Sequence, residues 1–306
     1  MKRILLLNHK EKRCGIYQYG FRIGNILNKA TSFIFKYEEI NSVVEYDNVV
    51  NNFNPDIIIY NYYDITMPFL NDYEIKKYNS IKHTYIHHAG NYSRYFEYII
   101  QSDPTIVETK NSISLPRPLF ENYELEYKNN NIPTIGSFGF GFYDKGFDKI
   151  CTLVNNEFDA AVLNLHITFS YYADNFGDMA KKIADICKSK ITKPNIILNI
   201  THDFLTDEQM LNFLSNNDVN IYLYDDAPKG ISSVIDYSLS VQRPLIINKT
   251  YMFKHLHSVN DNLCIEKNNI KNIINNGCND TDIFRDMWSN ENLIKKIEKL
   301  ITIIYN

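Results

Sequence analysis

The chain has 306 residues, 44% of them hydrophobic, and a formal net charge of -4 with its eight histidines taken as neutral. That length and apolar content suit two cores of ordinary size better than one. The charge lacks the positive field with which proteins displace counterions from nucleic acid, so nucleic acid is not an expected partner.

The first apolar run, residues 3–8, follows a basic start but is far too short for a signal peptide and predicts a buried strand. Short apolar runs bounded by turn residues then alternate with longer amphipathic stretches, the pattern of parallel strands joined by crossover helices. In the first half a helix is predicted over 16–28, with strands at 33–37, 56–60, 83–87 and 105–108. The polar stretch 126–131 has little to bury, and Pro133 precedes a new strand at 134–138, so the domains are read as 1–130 and 131–289. Further strands are predicted at 160–167, 195–200, 219–224, 244–248 and 263–265. Thr206 and Gln209 form a capping box that starts a helix. Residues 290–306 carry Leu293, Ile297, Leu300 and Ile304 at helical spacing, which predicts a last helix packing back across the domains. The class is α/β, with two doubly wound Rossmann-like domains.

No segment approaches the roughly 20 apolar residues of a membrane-spanning helix, so at most peripheral membrane contact is expected. The cysteines Cys14, Cys151, Cys187, Cys264 and Cys278 are odd in number and scattered without paired metal spacing. They predict reduced thiols in a cytoplasmic compartment, with neither disulfides nor structural zinc.

The densest constellation runs from Tyr222 to Tyr237, where a strand enters a turn at Gly230 and a helix is predicted to open on Gly230-Ile231-Ser232-Ser233. Such a helix start offers unpaired amides and the positive end of a dipole to a phosphate. Asp236, four residues after Ser232 and three after Ser233, would share their face and reach ribose hydroxyls. The alternative on these residues alone is a serine cap and a solvated aspartate. Residues 135–148 supply Gly136, Gly139 and Gly141 followed by Lys145-Gly146; the spacing is not that of a dinucleotide fingerprint. His87 and His88 end a strand, where α/β proteins bind ligands, and Arg117 sits between two prolines. Gly15 opens the first helix. Asp280-Thr281-Asp282 spells a DxD pattern but lacks a preceding strand, so no metal is assigned to it.

Residues 230–247 resemble the donor-site motif of GT-B glycosyltransferases related to family 4, and the glycine-rich loop with Lys145-Gly146 is similar to that family's phosphate loop. The resemblance implies two domains facing a cleft, and a retaining, metal-independent transfer of sugar from a nucleotide-diphosphate donor to a glycan or other hydroxyl acceptor, with no cofactor. It assigns catalytic roles to Lys145, His87 and His88. It assigns donor contacts to Gly15, Gly139, Gly141, Lys145, Gly230, Ile231, Ser232, Ser233 and Asp236. The family's paired glutamates are not reproduced: Asp236 stands at the second position and Pro228 at the first, which leaves Asp225 or Asp226 as substitutes. A binding module without catalysis, or a sugar-nucleotide epimerase, shares the same features.

Overall fold

In the computed structural model the described residues are 1–88, 96–121, 123, 125, 130–170, 173–174, 176–226 and 230–306. The chain forms β1 (Arg3–Asn8), α1 (Gly15–Leu27), β2 (Ile34–Glu39), α2 (Val43–Phe53), β3 (Ile57–Tyr60), α3 (Asp72–Lys76), β4 (Lys82–His87), β5 (Tyr98–Gln101) and β6 (Ser112–Ser114). There follow β7 (Thr134–Phe140), α4 (Phe147–Glu157), β8 (Ala161–Thr168), α5 (Asp178–Lys190), β9 (Ile196–Thr201), α6 (Asp207–Ser215), β10 (Val219–Tyr222) and α7 (Val234–Ser240). β11 (Leu245–Ile247), α8 (Lys254–His257), α9 (Ile270–Asn276), α10 (Asp282–Met287) and α11 (Asn290–Tyr305) complete it.

These elements make two units, one of Met1–Pro118 with Met287–Asn306 and one of Leu119–Asp286. Composition suggests a division at 130/131. The chain joins the second unit earlier because Leu119 is buried, the Phe120 amide donates to Ser240 Oγ at 2.9 Å, and its ring packs on Tyr237. Residues 126–129 of the polar stretch lie outside the described residues.

The first sheet has the order β2-β1-β3-β4-β5-β6, parallel throughout. Side chains alternate across a strand, so Ile4 and Leu6 pack with α1 and α11 while Leu5 and Leu7 pack with α2 on the other face. That two-sided burial is why β1 reads as an unbroken apolar run. α11 lays Leu293, Ile297, Leu300 and Ile304 onto the first face, within the first unit. Residues 105–108 form no strand. Asp103 caps a turn there by accepting the Thr105 amide at 2.9 Å, and the sheet continues instead through the short β5 and β6.

The second sheet has the order β11-β10-β7-β8-β9, also parallel. Leu163, Leu165 and Ile167 of β8 meet α4 and α5 on one face. The other face carries an asparagine ladder in which Asn199 donates to Asn164, Asn164 to Asn217 and Asn217 to Asn220. A Cβ at Gly136 would lie 2.0 Å from Asn217 Nδ2, so the glycine makes room for the ladder. The predicted strand at 263–265 reduces to a 3-10 turn over Asp261–Leu263 and a single bridge from Cys264 to Ile247. The Thr206 capping box is present as read from the sequence.

Candidate functional site

In the second unit, β7 lies between β10 and β8, so the loops after β7 and β10 meet at the sheet's carboxyl edge, where doubly wound sheets bind ligands. Gly146 fixes the first loop. Its φ is +62°, and a Cβ there would lie 1.8 Å from the Leu223 carbonyl oxygen, so only glycine fits. The Asp225 amide donates to the Asp144 carbonyl at 2.8 Å and ties the two loops together. Between these anchors, the 3-10 turn Tyr143–Lys145 places the Lys145 ammonium 4.1 Å from the centroid of the Tyr224 ring.

The Lys145 side chain is only 13% exposed, and Asp144 stands 3.8 Å away. Burial pulls the ammonium below the ordinary lysine value, with Asp144 opposing. Burial pushes the Tyr224 phenol up, opposed by the Ser232 hydroxyl beside it. The Tyr224 hydroxyl meets no hydrogen-bond partner of ordinary geometry among the described residues. A Cβ on Gly139 would lie 3.4 Å from that hydroxyl. Gly139, Lys145, Tyr224 and Ser232 thus converge. The sequence pattern puts Tyr224 inside a strand; β10 ends at Tyr222, and that early end frees Tyr224 to carry Lys145. Its signal is an aromatic just before Asp225, which periodicity alone does not separate from a strand residue.

The Gly230 segment differs from its predicted form. Gly230 has φ +70°, and the helix begins at Val234, not at Gly230. The Ser232 amide is engaged with the Met252 carbonyl at 3.2 Å, and the Asp236 amide with the Ser233 carbonyl at 3.1 Å. The chain is drawn onto the turn Tyr251–Phe253 before it can coil, so the Ser232 amide is not an open donor and Ser232 lies outside the helix face of Asp236. Ile231 is half-buried, and Asp236 is fully buried in the first turn of α7. Residues 227–229, Pro228 among them, lie outside the described residues.

Asp225 pairs with Lys149, and Asp226 accepts the Tyr251 amide at 2.9 Å, so both carboxylates have partners within the fold. Gly141 serves packing, since a Cβ would lie 2.5 Å from that of Ala180. The Asp280 carboxylate is taken by the amides of Asn260, Asn262 and Asn276. No group of three or more His, Cys, Asp or Glu residues that could hold a metal occurs among the described residues.

In the first unit the corresponding edge gathers Asn8 at the end of β1 and His9 after it, Asn61 after β3, and His87 and His88 at the end of β4. Gly15 opens α1 in open space, since a Cβ added to it would meet nothing within 4 Å, and Cys14 before it makes no capping hydrogen bond through its side chain. His87 Nδ1 bonds Gln101 Oε1 at 3.0 Å, while His88 Nε2 bonds Asn61 Oδ1 at 2.6 Å. Burial, with the Arg117 charge second, lowers the His88 pKa to about 3. Arg117 is buried, donates to the Ser102 carbonyl at 2.8 Å and stacks 4.7 Å over Tyr19, whose ring edge also meets His88.

No protein-family model matches the chain, and no curated protein matches it. Solved structures do match along the whole length. HepE from Anabaena, in complex with UDP and glucose, aligns at TM-score 0.65 and 10% identity over 99% of this chain and 100% of its own. Sucrose-phosphate synthase from Thermosynechococcus elongatus aligns at TM-score 0.70 and 10% identity over 100% and 99%. The lipopolysaccharide outer core galactosyltransferase WaaB, in its apo form, aligns at TM-score 0.61 and 10% identity over 99% of each chain. The fold is GT-B. At this identity the likeness concerns the fold.

Proposed function

We propose that this chain is a glycosyltransferase related to family 4, whose second unit grips the diphosphate of a nucleotide-sugar donor and whose transfer goes to a glycan or other hydroxyl acceptor. The observation that carries the reading is Lys145: an ammonium held on Tyr224, largely out of water, with Asp144 3.8 Å away. Asp144 already pairs with the ammonium, but burial still outweighs that pairing, so the charge is only partly compensated and a diphosphate supplies the rest. Gly139 brings its backbone close to the Tyr224 hydroxyl, and Ser232 adds a hydroxyl donor. As the bond from the anomeric carbon to the diphosphate breaks, negative charge builds on the phosphate oxygens and Lys145 stabilises it. The acceptor oxygen bonds to the anomeric carbon on the face that the phosphate leaves and its proton passes to the departing phosphate, so configuration is retained; in this reading protein donors stand in place of a metal. The resemblance gives Asp236 the ribose, although its carboxylate is fully buried in the first turn of α7, and His87 and His88 meet sugar hydroxyls. The HepE complexes with UDP and with UDP-glucose support a nucleotide sugar as the donor class. We place the reaction in the cytoplasm, where such donors and reduced thiols are found together.

A second reading, donor binding without turnover, is favoured by one observation. Asp225 and Asp226, the stand-ins for the family's first glutamate, are engaged by Lys149 and by the Tyr251 amide. Calorimetry with UDP, GDP and ADP, followed by hydrolysis and transfer assays on their sugar conjugates, separates the readings. Binding with turnover supports the transferase and binding without turnover the module. Absence of any nucleoside diphosphate binding overturns both.

A further inference from the structure

Side chains at the carboxyl edge of the first sheet form one hydrogen-bonded row, in the spatial order of the strands that carry them. Glu39 closes β2, Asn8 closes β1, Asn61 follows β3 and His88 follows β4. The backbone decides which way each amide points. The Ile16 carbonyl only accepts, so the Asn61 atom 2.7 Å from it is the amide nitrogen. The Tyr17 carbonyl, at 3.0 Å, fixes Asn8 Nδ2 in the same way. Asn61 Nδ2 also donates to Asn8 Oδ1 at 2.8 Å, and that oxygen takes the His9 amide at 3.0 Å as well. Asn61 Oδ1 is thereby turned to His88 Nε2 at 2.6 Å, and the hydrogen between them belongs to the histidine. Further along, Asn8 Nδ2 donates to the Tyr37 hydroxyl at 2.9 Å, and Tyr37 donates to Glu39 Oε1 at 3.1 Å. Every bond runs from His88 towards the carboxylate, an arrangement in which each bond polarises the next. Gly20 makes room for it, since a Cβ there would lie 2.3 Å from Asn61 Nδ2.

We infer that Asn61, held by Asn8 and the Ile16 carbonyl, is a positioning residue that keeps the hydrogen of His88 on Nε2, so that Nδ1 presents a lone pair to a hydroxyl of a neutral sugar and not to a phosphate oxygen. The ligand class rests on the proposed transferase reading; the tautomer does not. A lone pair accepts a hydroxyl hydrogen and repels a phosphate oxygen, so the row gives His88 a task distinct from that of Lys145. An imidazole whose other nitrogen is already committed also cannot turn to follow a ligand, which sharpens its selection among sugar hydroxyls.

Two-bond proton–nitrogen spectra of the histidine-labelled full chain at pH 7, with the His88 signal identified by its loss in His88→Gln, test the tautomer directly. A hydrogen on Nε2 is expected in the unsubstituted protein, and a mixture of tautomers in Asn61→Ala. A hydrogen on Nδ1 in the unsubstituted protein overturns the inference even if Asn61→Ala fails to fold. With UDP and UDP-glucose as probes, Asn61→Ala is expected to weaken use of UDP-glucose about tenfold while leaving UDP affinity unchanged, since UDP has no sugar hydroxyl beyond its ribose. Equal losses for both probes would mark Asn61 as merely structural, and no loss for either would remove its positioning role. If the unsubstituted protein binds neither probe, the pair is replaced by the nucleoside diphosphate that does bind and its glucose conjugate; if UDP, GDP and ADP all fail to bind, the donor reading has failed and the spectra alone judge Asn61.

Discussion

The Lys145 ammonium rests 4.1 Å from the centre of the Tyr224 ring, and that ring is buried where the loop after β10 meets the loop after β7. A cation over an aromatic face contributes about 0.5–2 kcal/mol, more as water is excluded. Burial works against the charge here, so removing it should not destabilise the unit. Lys145→Ala is therefore expected to keep or slightly raise the melting temperature while weakening nucleoside diphosphate binding by about 10–100-fold, as befits a lost charge-assisted contact. Tyr224→Phe preserves the ring and should bind nearly as well, whereas Tyr224→Leu should not. Thermal melts and calorimetry on the three variants check this. A large drop in melting temperature for Lys145→Ala would mean that the lysine supports the fold instead.

Gly146 and Gly15 make opposite predictions from the same kind of substitution. At Gly146 an alanine meets a left-handed φ and a carbonyl oxygen 1.8 Å from its Cβ. The loop must move, at a cost of roughly 2–4 kcal/mol, and Lys145 moves with it. At Gly15 an alanine meets nothing within 4 Å, so stability should stay within about 0.5 kcal/mol. If Gly15 lies against a ligand, its alanine variant loses activity alone. Chemical denaturation beside turnover separates the two cases.

Much of this architecture was legible because its determinants are local. The strands β1, β3, β8 and β9 are largely apolar runs bounded by turn residues, and the Thr206 capping box depends on residues three apart. What was not legible depends on partners distant in sequence. Residues 105–108 carry apolar side chains like a strand, but Asp103 holds the chain in a turn, while β5 and β6 are too short to show a period. The Gly230 segment has the composition of a helix start, yet the Met252 carbonyl takes the Ser232 amide and delays the helix to Val234. Glycine-rich spelling also cannot separate a ligand contact from packing. Gly141 and Gly136 prove to accommodate Ala180 and Asn217, while a Cβ on Gly139 would make only ordinary contact with Tyr224. The row from His88 to Glu39 joins four strands and leaves no spacing to find.

Buried histidines give the protein a first acid-sensitive window. His9, His88 and His166 have pKa values lowered to about 4, 3 and 4, burial being the largest cause in each. Their ordinary value is about 6.5, so below that pH the unfolded chain takes up protons that the folded chain refuses. Stability is complete above about pH 6.5 and falls as the pH drops towards 4 and 3. By about pH 5 each histidine should have removed roughly 1–2 kcal/mol. Denaturation midpoints measured from pH 7.5 to 4.5 should decline, and the slope should flatten in His166→Gln. A midpoint that does not change with pH would contradict the neutral burial of these rings.

Glu108 opens a second window lower down. Its carboxylate receives Lys296 and Lys299 of α11, each at 2.5 Å, and the Ser114 amide at 3.3 Å. Burial raises its pKa, but the two lysines outweigh burial and bring it to about 2. The folded value lies below the unfolded one of about 4.3, so the stability it contributes is present above pH 4.3 and lost as the pH falls towards 2. The group is partly open to solvent, and screening reduces the benefit to about 1 kcal/mol. Glu108→Gln should therefore cost about that much at pH 7 and low salt, less at high salt, and almost nothing near pH 2. Since Leu293, Ile297, Leu300 and Ile304 still bury α11, the variant should loosen the helix without releasing it. Amide exchange in α11 should quicken while that of β1 and β3 is unchanged; equal acceleration throughout the unit would show that the clamp stabilises the whole sheet and not the helix alone.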